Sequence, residues 1–326
     1  MPANLTPDYT RAEDRLRRAA TDAERLDALQ EMLRTIPKHK GTEKMQADIK
    51  HRLSKLRKTV AGRSSAKGPD PFHVPKGGAG QVVLVGPPNV GKSMLLARTT
   101  NAPAKVAEYP FTTALPVPGM ARFEDAQIQL VDTPPVVADH VPGGLIGTIR
   151  SADVICIVVD LSTDPLEQVE MVRGLLASRG MSVRSAPRNE LGTDDAGLCS
   201  GVIVGGKSDL GSAGTLDTLR DLYGGDLEIY PVSAETGQGL SRLIERLWQL
   251  LAVIRVYTKQ PGKPPDFTRP FTLDAGSTVA DLAARIHRDL PTTMKSVRLW
   301  GHVRFDGQQV HRTELLRDRD VVEIHE

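Results

Sequence analysis

The apolar positions change period twice along the chain, and each change marks a new kind of structure. Over residues 6–60 they recur at helical spacing: Leu26, Leu29, Leu33 and Ile36 form one set, and Met45, Ile49, Leu53 and Leu56 form another after the break at Pro37 and Gly41. Thr6 before Pro7 supplies a helix start, and Thr21 with Glu24 a capping box. The two apolar faces are expected to pack together. Residues 61–80, AGRSSAKGPDPFHVPKGGAG, have no periodicity and are rich in Gly, Pro and Ser, the composition of a linker or loosely docked loop. From Gln81 onward, short β-rich runs (QVVLVG, QIQLVD, ADVICIVVD, GVIVGG, EIYPVSA) alternate with helical stretches such as 165–179 and 238–252. This alternation predicts an α/β unit with a mostly parallel sheet covered by helices. Near Val253 the pattern changes again: IRVYTK, PFTLDAG, a helical stretch at 278–289, SVRLW and VVEIHE predict a compact α+β fold. The expected division is a helical region over 1–60, a linker over 61–80, the α/β unit over 81–252 and the last unit over 253–326.

Length agrees with several units, since 326 residues exceed what one core usually holds. A net charge of +2 with 25% charged residues excludes a general polycation or an acidic tail, so charge matters locally. Ten Lys or Arg against Glu43 and Asp48 between Arg34 and Arg63 make that stretch the most basic in the chain. It is either a surface for RNA phosphates or a solvated helical face. Two cysteines, Cys156 and Cys199, are too few for a disulfide framework, and Cys156 lies in an apolar run where a buried structural thiol is expected. No apolar run approaches the roughly 18 residues of a membrane span, and the polar first 20 residues carry no secretory pattern. A reducing, cytoplasmic setting is expected.

The candidate chemistry begins with Gly86-Pro-Pro-Asn-Val-Gly91-Lys92-Ser93, set between a strand and the helical MLLARTT. A Walker A loop needs that context: its glycines let backbone N–H groups turn around phosphates, Lys92 reaches the β and γ oxygens, and Ser93 offers a hydroxyl to Mg²⁺. Downstream, Tyr109-Pro-Phe-Thr-Thr113 can bring a threonine hydroxyl to the same ion, and Asp132 closes QIQLVD where it can hold a metal-bound water. Lys207-Ser-Asp209 follows GVIVGG and puts a carboxylate at the carboxyl edge of the sheet, the edge where such folds bind ligands. Asp209 can accept from both N1–H and the exocyclic amine of guanine, a pair that adenine lacks, at about 1.5–3 kcal/mol for each charge-assisted bond. Ser233-Ala234-Glu-Thr-Gly237 supplies a turn whose N–H can meet guanine O6. KSD or SAETG alone is an ordinary surface loop; five segments in this order point to GTP and GDP rather than ATP. His140 reads as an exposed loop histidine.

With these motifs the chain resembles the Obg-related GTPases, and within them the DRG (developmentally regulated GTP-binding) proteins. TPDYTRAEDRL and RTIPKHKGTEKMQADIKHRLSKLRK are similar to the DRG helical, helix-turn-helix-like N-terminus, and YPFTTALPVPG is similar to the Obg-type switch I. The last 74 residues, with VYTKQPGKPPDFTRPFTL, resemble a TGS domain, a ubiquitin-like β-grasp module. The resemblance implies a P-loop GTPase domain followed by that module, and a Mg²⁺-dependent GTPase acting as a switch in translation, at ribosomes or on RNA. A non-hydrolysing nucleotide-binding scaffold is the alternative. Carried over by motif, Gly86, Asn89, Val90, Gly91, Lys92 and Ser93 would bind phosphates, Ser93 and Thr113 would hold Mg²⁺, and Lys92, Thr113 and Asp132 would serve hydrolysis. Lys207, Asp209, Ser233 and Ala234 would form the base pocket.

Three features depart from the family pattern. Asp-x-Pro-Gly appears as Asp132-Thr-Pro-Pro135, the Asn of Asn-Lys-x-Asp is Gly206, and the Gly-Arg pairs after switch II are reduced to Gly143-Gly144. DRG proteins also carry an inserted subdomain, which the 77 residues between Asp132 and Asp209 reduce to a loop, expected near 181–199. Proline at 135 has no N–H for the γ-phosphate. The residue after it is Val136 in place of a glutamine, and in GTPases of that kind the Asn89 position helps to bind K⁺.

Overall fold

The computed structural model describes residues 7–18, 22–36, 42, 45–53, 70–100, 115–137, 141, 144–192 and 197–325. The Thr6 and Thr21 caps, the Leu26 side chain, Leu56, residues 61–69, the 109–113 segment with Thr113, and Asp139, His140 and Gly143 lie outside what is described. The chain divides into two compact units, Met1–Asp70 and Pro71–Glu326. Among the described residues no helix is long and apolar enough to cross a membrane.

In the first unit, α1 (Pro7–Arg18), α2 (Asp22–Thr35) and α3 (residues 45–53) bury Tyr9, Ala12, Leu29, Met32, Ile36, Ile49 and Leu53 in one cluster. The helical spacing of Leu29, Ile36, Ile49 and Leu53 thus turns both sets toward a common core.

The second unit holds two sheets. Strands β1 (Gln81–Val85), β2 (Val117–Phe123), β3 (Ala126–Asp132), β4 (Val154–Asp160), β5 (Ser182–Arg184), β6 (Leu198–Gly206) and β7 (Ile229–Pro231) form the first. Its order is β2-β3-β1-β4-β6-β5, with β7 also on β6. All pairs are parallel except β2 with β3, an antiparallel hairpin. The helices are α4 (Lys92–Thr99), α5 (Leu145–Ser151), α6 (Pro165–Ser178), α7 (Ala213–Tyr223) and α8 (Leu240–Leu251). Alternate residues of the central strands serve opposite faces, as a pleat with period two requires. Val82, Leu84, Val154, Cys156 and Val158 pack with α4 and α8, while Val83, Val85, Ile155, Ile157 and Val159 pack with α5, α6 and α7. Cys156 is fully buried, and burial pushes its thiol pKa up, as expected for a structural thiol.

In this first sheet, sequence patterning missed β2 and β5. Pro118 and Gly119 mask β2, and it tolerates the proline because it lies at the sheet edge. The loop expected over 181–199 contributes the three-residue β5 to the opposite edge, paired with the start of β6. Residues 71–80 run along the sheet with Val74 buried; the Gln81 amide donates to Val74 O at 3.0 Å and Lys76 pairs with Asp153 at 2.6 Å.

The last element of this α/β part runs without a spacer into the next fold. Ala252, with φ 51°, turns α8 directly into β8 (Val253–Lys259). Strands β8, β9 (Asp266–Asp274), β10 (Ser296–Trp300), β11 (Gln308–Val310) and β12 (Asp320–His325) make a five-stranded sheet in the order β11-β10-β12-β8-β9. Helix α9 (Val279–Ile286) covers one face through Val279 and Leu282, and Thr278 with Asp281 forms the capping box at its start. The short α10 (Leu290–Thr293) follows. A parallel β8–β12 pair flanked by antiparallel neighbours, with one helix across the sheet, is the β-grasp arrangement expected of the C-terminal residues.

Candidate functional site

The carboxyl ends of β1, β3, β4 and β6 meet at one edge of the larger sheet, and the described ones among the expected site residues gather there. The chain leaves β1 through a loop with φ 64° at Asn89 and 94° at Gly91, left-handed turns that bend backbone N–H groups into an anion-binding concavity. At Gly86 the constraint is space, since a Cβ there would lie 2.2 Å from Val158 O. Gly91 caps α4, so the loop delivers the start of a helix, with its partial positive charge, to the concavity. Val90 is buried in the core, which anchors the loop.

Lys92 is 6% exposed, and its ammonium donates to Gly86 O at 2.9 Å and Pro87 O at 2.8 Å. Burial lowers its pKa from 10.5 to about 8, partly opposed by the charge of Asp132. The Ser93 hydroxyl donates to Asp132 Oδ2 at 2.5 Å, which joins the P-loop helix to the end of β3. Lys92, Ser93 and Asp132 therefore stand together although 40 residues of chain separate the first from the last.

Beyond Asp132, Thr133 donates its hydroxyl to Leu84 O at 2.6 Å and the Val136 N–H donates to Gly86 O at 3.1 Å. The Val136 side chain is 1% exposed, packed with Val83, Val85 and Leu145. Pro135 has no N–H, and the next one along the chain is bound to the P-loop carbonyl. The segment after Asp132 is thus tied to the loop by backbone and core alike.

The base-side residues border a cavity of about 230 Å³ lined by Gly91, Met94, Gly206, Lys207, Asp209 and Ala234, among others. It suits one planar heterocycle, and exposed Asp209 stands at its rim. Lys207, with φ 54°, pairs with Asp160 at 2.6 Å. The Asp160 carboxylate also accepts from the Ser162 N–H at 2.9 Å and hydroxyl at 2.6 Å. Burial would raise the Asp160 pKa, but Lys207 and Ser162 together hold it below the usual carboxylate range. Ser233 is fully buried and serves the turn rather than the cavity: its hydroxyl accepts the Thr236 N–H at 3.1 Å and its carbonyl the Gly237 N–H at 2.9 Å. At Gly206 a Cβ would stand 3.0 Å from Val90 O, so glycine lets the β6 end and the P-loop approach closely.

Two features escaped sequence reading. Asp160 closes the ADVICIVVD run at the same sheet edge, a position that signals a site residue even without a motif. The bond from Val136 N–H to Gly86 O has no signal in sequence.

Residues 81–183 match the family model described as "50S ribosome-binding GTPase", and residues 254–326 match the TGS domain. Developmentally-regulated GTP-binding protein 1 of Xenopus laevis is 30% identical, across 90% of this chain and 96% of its own length. This chain belongs to the developmentally regulated GTP-binding protein family. A Dictyostelium discoideum relative, developmentally-regulated GTP-binding protein 2 homolog, is also 30% identical, across 90% of this chain and 96% of itself. Ribosome-interacting GTPase 1 of Saccharomyces cerevisiae is 26% identical over 94% of this chain and 99% of itself. The DRG-type architecture follows: a helical N-terminus, a P-loop GTPase domain for guanine nucleotide and a C-terminal TGS domain.

Proposed function

We propose that this DRG-family chain is a slow, Mg²⁺-dependent GTPase that works as a switch in translation or another ribosome- or RNA-associated process. The observation that carries the reading is the single sheet edge at which Lys92, Ser93 and Asp132 adjoin a heterocycle-sized cavity rimmed by Asp209. The oxygen-only donors Ser93 and Asp132 suit a hard cation such as Mg²⁺. Ser93, with Thr113 from the family motif, would hold the ion, which neutralises phosphate charge when bound. Lys92 binds the phosphates, Lys207 and Asp209 the base, and Ala234 the turn beside it. Asn89 is the residue toward which a K⁺ would be drawn. Slow hydrolysis follows from Pro135 and Val136, because neither a backbone N–H at 135 nor a polar side chain at 136 meets the γ-phosphate. The same anchoring favours the scaffold that binds GTP without hydrolysing it as the second reading. The domain division 1–60, 61–80, 81–252 and 253–326 is part of the proposal.

Titration with GTP, GDP and ATP, followed by single-turnover hydrolysis with and without Mg²⁺, tests this. Guanine preference with Mg²⁺-dependent decay above the protein-free rate is expected, and faster decay in K⁺ than in Na⁺ of equal ionic strength. Binding with decay at the protein-free rate leaves only the scaffold. The ribosome reading draws on the yeast relative's name, the TGS domain and the basic 34–63 stretch. Co-sedimentation with ribosomes should weaken by about one power of salt concentration per phosphate neutralised, and its absence at low salt would overturn this part.

A further inference from the structure

The β2–β3 hairpin connects the nucleotide edge to the TGS domain. At one end Val117 pairs with Asp132, which binds Ser93. At the other end the tip residues Glu124 and Asp125 are taken by β8 and the loop before β12. Arg255 donates through Nη1 to Glu124, and to Asp125 at 2.8 Å, while its other nitrogens fork onto Asp318 at 3.1 and 2.7 Å. Tyr257 donates its hydroxyl to Asp125, and Arg319 pairs with Glu124 at 2.7 Å. The Arg255 guanidinium lies 5.3 Å from the Trp248 ring and 5.8 Å from the Phe123 ring, and those two rings stack at 5.0 Å. Its side chain is 4% exposed. One desolvated arginine forked across three carboxylates and packed on two aromatic rings makes a stiff joint, because its planar guanidinium fixes the partners' relative positions.

We propose that Arg255 is a positioning residue for the nucleotide site. It clamps the hairpin tip to the TGS domain, so that the far end of the hairpin, with Asp132 and its bond to Ser93, is held in register with the P-loop. The base cavity is lined by the P-loop, α4, β4, the end of β6 and the loops after β6 and β7, with no residue from this hairpin. Releasing the tip therefore changes what depends on the third phosphate and leaves base recognition intact. By the same linkage, a ligand that shifts the TGS domain biases the preference for GTP over GDP.

The inference rests on the nucleotide reading above, so the wild-type chain is titrated first with fluorescent GTP, GDP and ATP in Mg²⁺. Arg255→Lys keeps the charge and loses the fork, and Tyr257→Phe removes only the hydroxyl on Asp125. Both should change the ratio of GTP to GDP affinity, by threefold or more for Arg255→Lys and in the same direction but less for Tyr257→Phe. The preference for guanine over adenine should stay constant. Lys259→Met, which breaks the Lys259 pair with Glu323 away from the hairpin, should lower the melting temperature without moving the ratio. If Arg255→Lys does not fold, Tyr257→Phe decides. A ratio unmoved by the folded variants overturns the proposal, as does a ratio that moves equally with Lys259→Met. A wild-type chain that binds no guanine nucleotide overturns the nucleotide reading itself, a different result from normal binding with an unmoved ratio.

Discussion

At the phosphate end of the site, the P-loop is made of backbone: two left-handed residues, a glycine pressed against Val158 O, and one buried lysine held by two carbonyls. At the base end of the same sheet edge, the geometry depends on a side-chain pair, Lys207 with Asp160, beside a cavity that Gly206 helps to line. The backbone site keeps its motif, while the side-chain site has departed from the family pattern at Gly206. Backbone geometry can be met only by a narrow set of residues, whereas a charged pair can be reassembled from other positions. The phosphate end should therefore respond to substitution steeply and the base end mildly.

Lys92→Met gives the steepest response. Loss of the partner of a buried phosphate charge costs about 3 kcal/mol, so guanine nucleotide affinity should fall more than a hundredfold in a binding titration. The nucleotide-free protein should unfold at the same temperature or higher, because an apolar side chain of similar length replaces a desolvated cation. Parallel losses of affinity and stability would mean that the lysine is mainly structural.

Pro135→Gly tests the missing donor. An N–H restored at this position, beside a Val136 already bound to Gly86 O, should raise single-turnover hydrolysis by roughly a hundredfold. The preference for GTP over GDP should rise with it. No change in either would remove this account of the slow rate.

The pH dependence separates the two ends further. Lys92 has its folded pKa lowered from 10.5 to about 8, so it loses charge above pH 8, and nucleotide affinity should fall by up to about tenfold per pH unit from there. Stability of the nucleotide-free chain should change in the opposite sense. Between pH 8 and 10.5 the unfolded state binds more protons at this lysine than the folded state, so the Lys92 contribution rises with pH across that window. Lys92→Met should flatten both trends, and chemical denaturation at several pH values measures the second.

Asp160→Asn should have the smallest effect. Lys207 is about one-third exposed, so its ion pair is screened and contributes at most about 1 kcal/mol. Affinity for GTP and GDP should fall together by about three- to fivefold, with hydrolysis of bound GTP unchanged. A loss as large as that of Lys92→Met would erase the contrast between the ends.

Much of this was legible in the chain itself. The β1 run, the P-loop and α4 follow from a short continuous apolar run, glycine spacing and helical periodicity, all local demands. Four of the five TGS strands and the helix across them could be seen for the same reason, whereas the three-residue β11 could not. Strand β2 was not, because a proline and a glycine in an edge strand look like a loop, and β5 was not, because three residues carry no period.

What the sequence by itself determined is which residues must make a phosphate loop, which runs must be strands or helices, and which family the motifs indicate. These depend on φ preferences and on side chains a few positions apart. Only the tertiary structure decided which charges meet. Arg255 finds Asp125 from 130 residues away and Asp318 from 63, and Lys207 finds Asp160 from 47. Any of 40 Asp and Glu could in principle have paired with those cations. Strand order and register select among them, because an ion pair depends on a few Å of separation in space and not at all on distance along the chain.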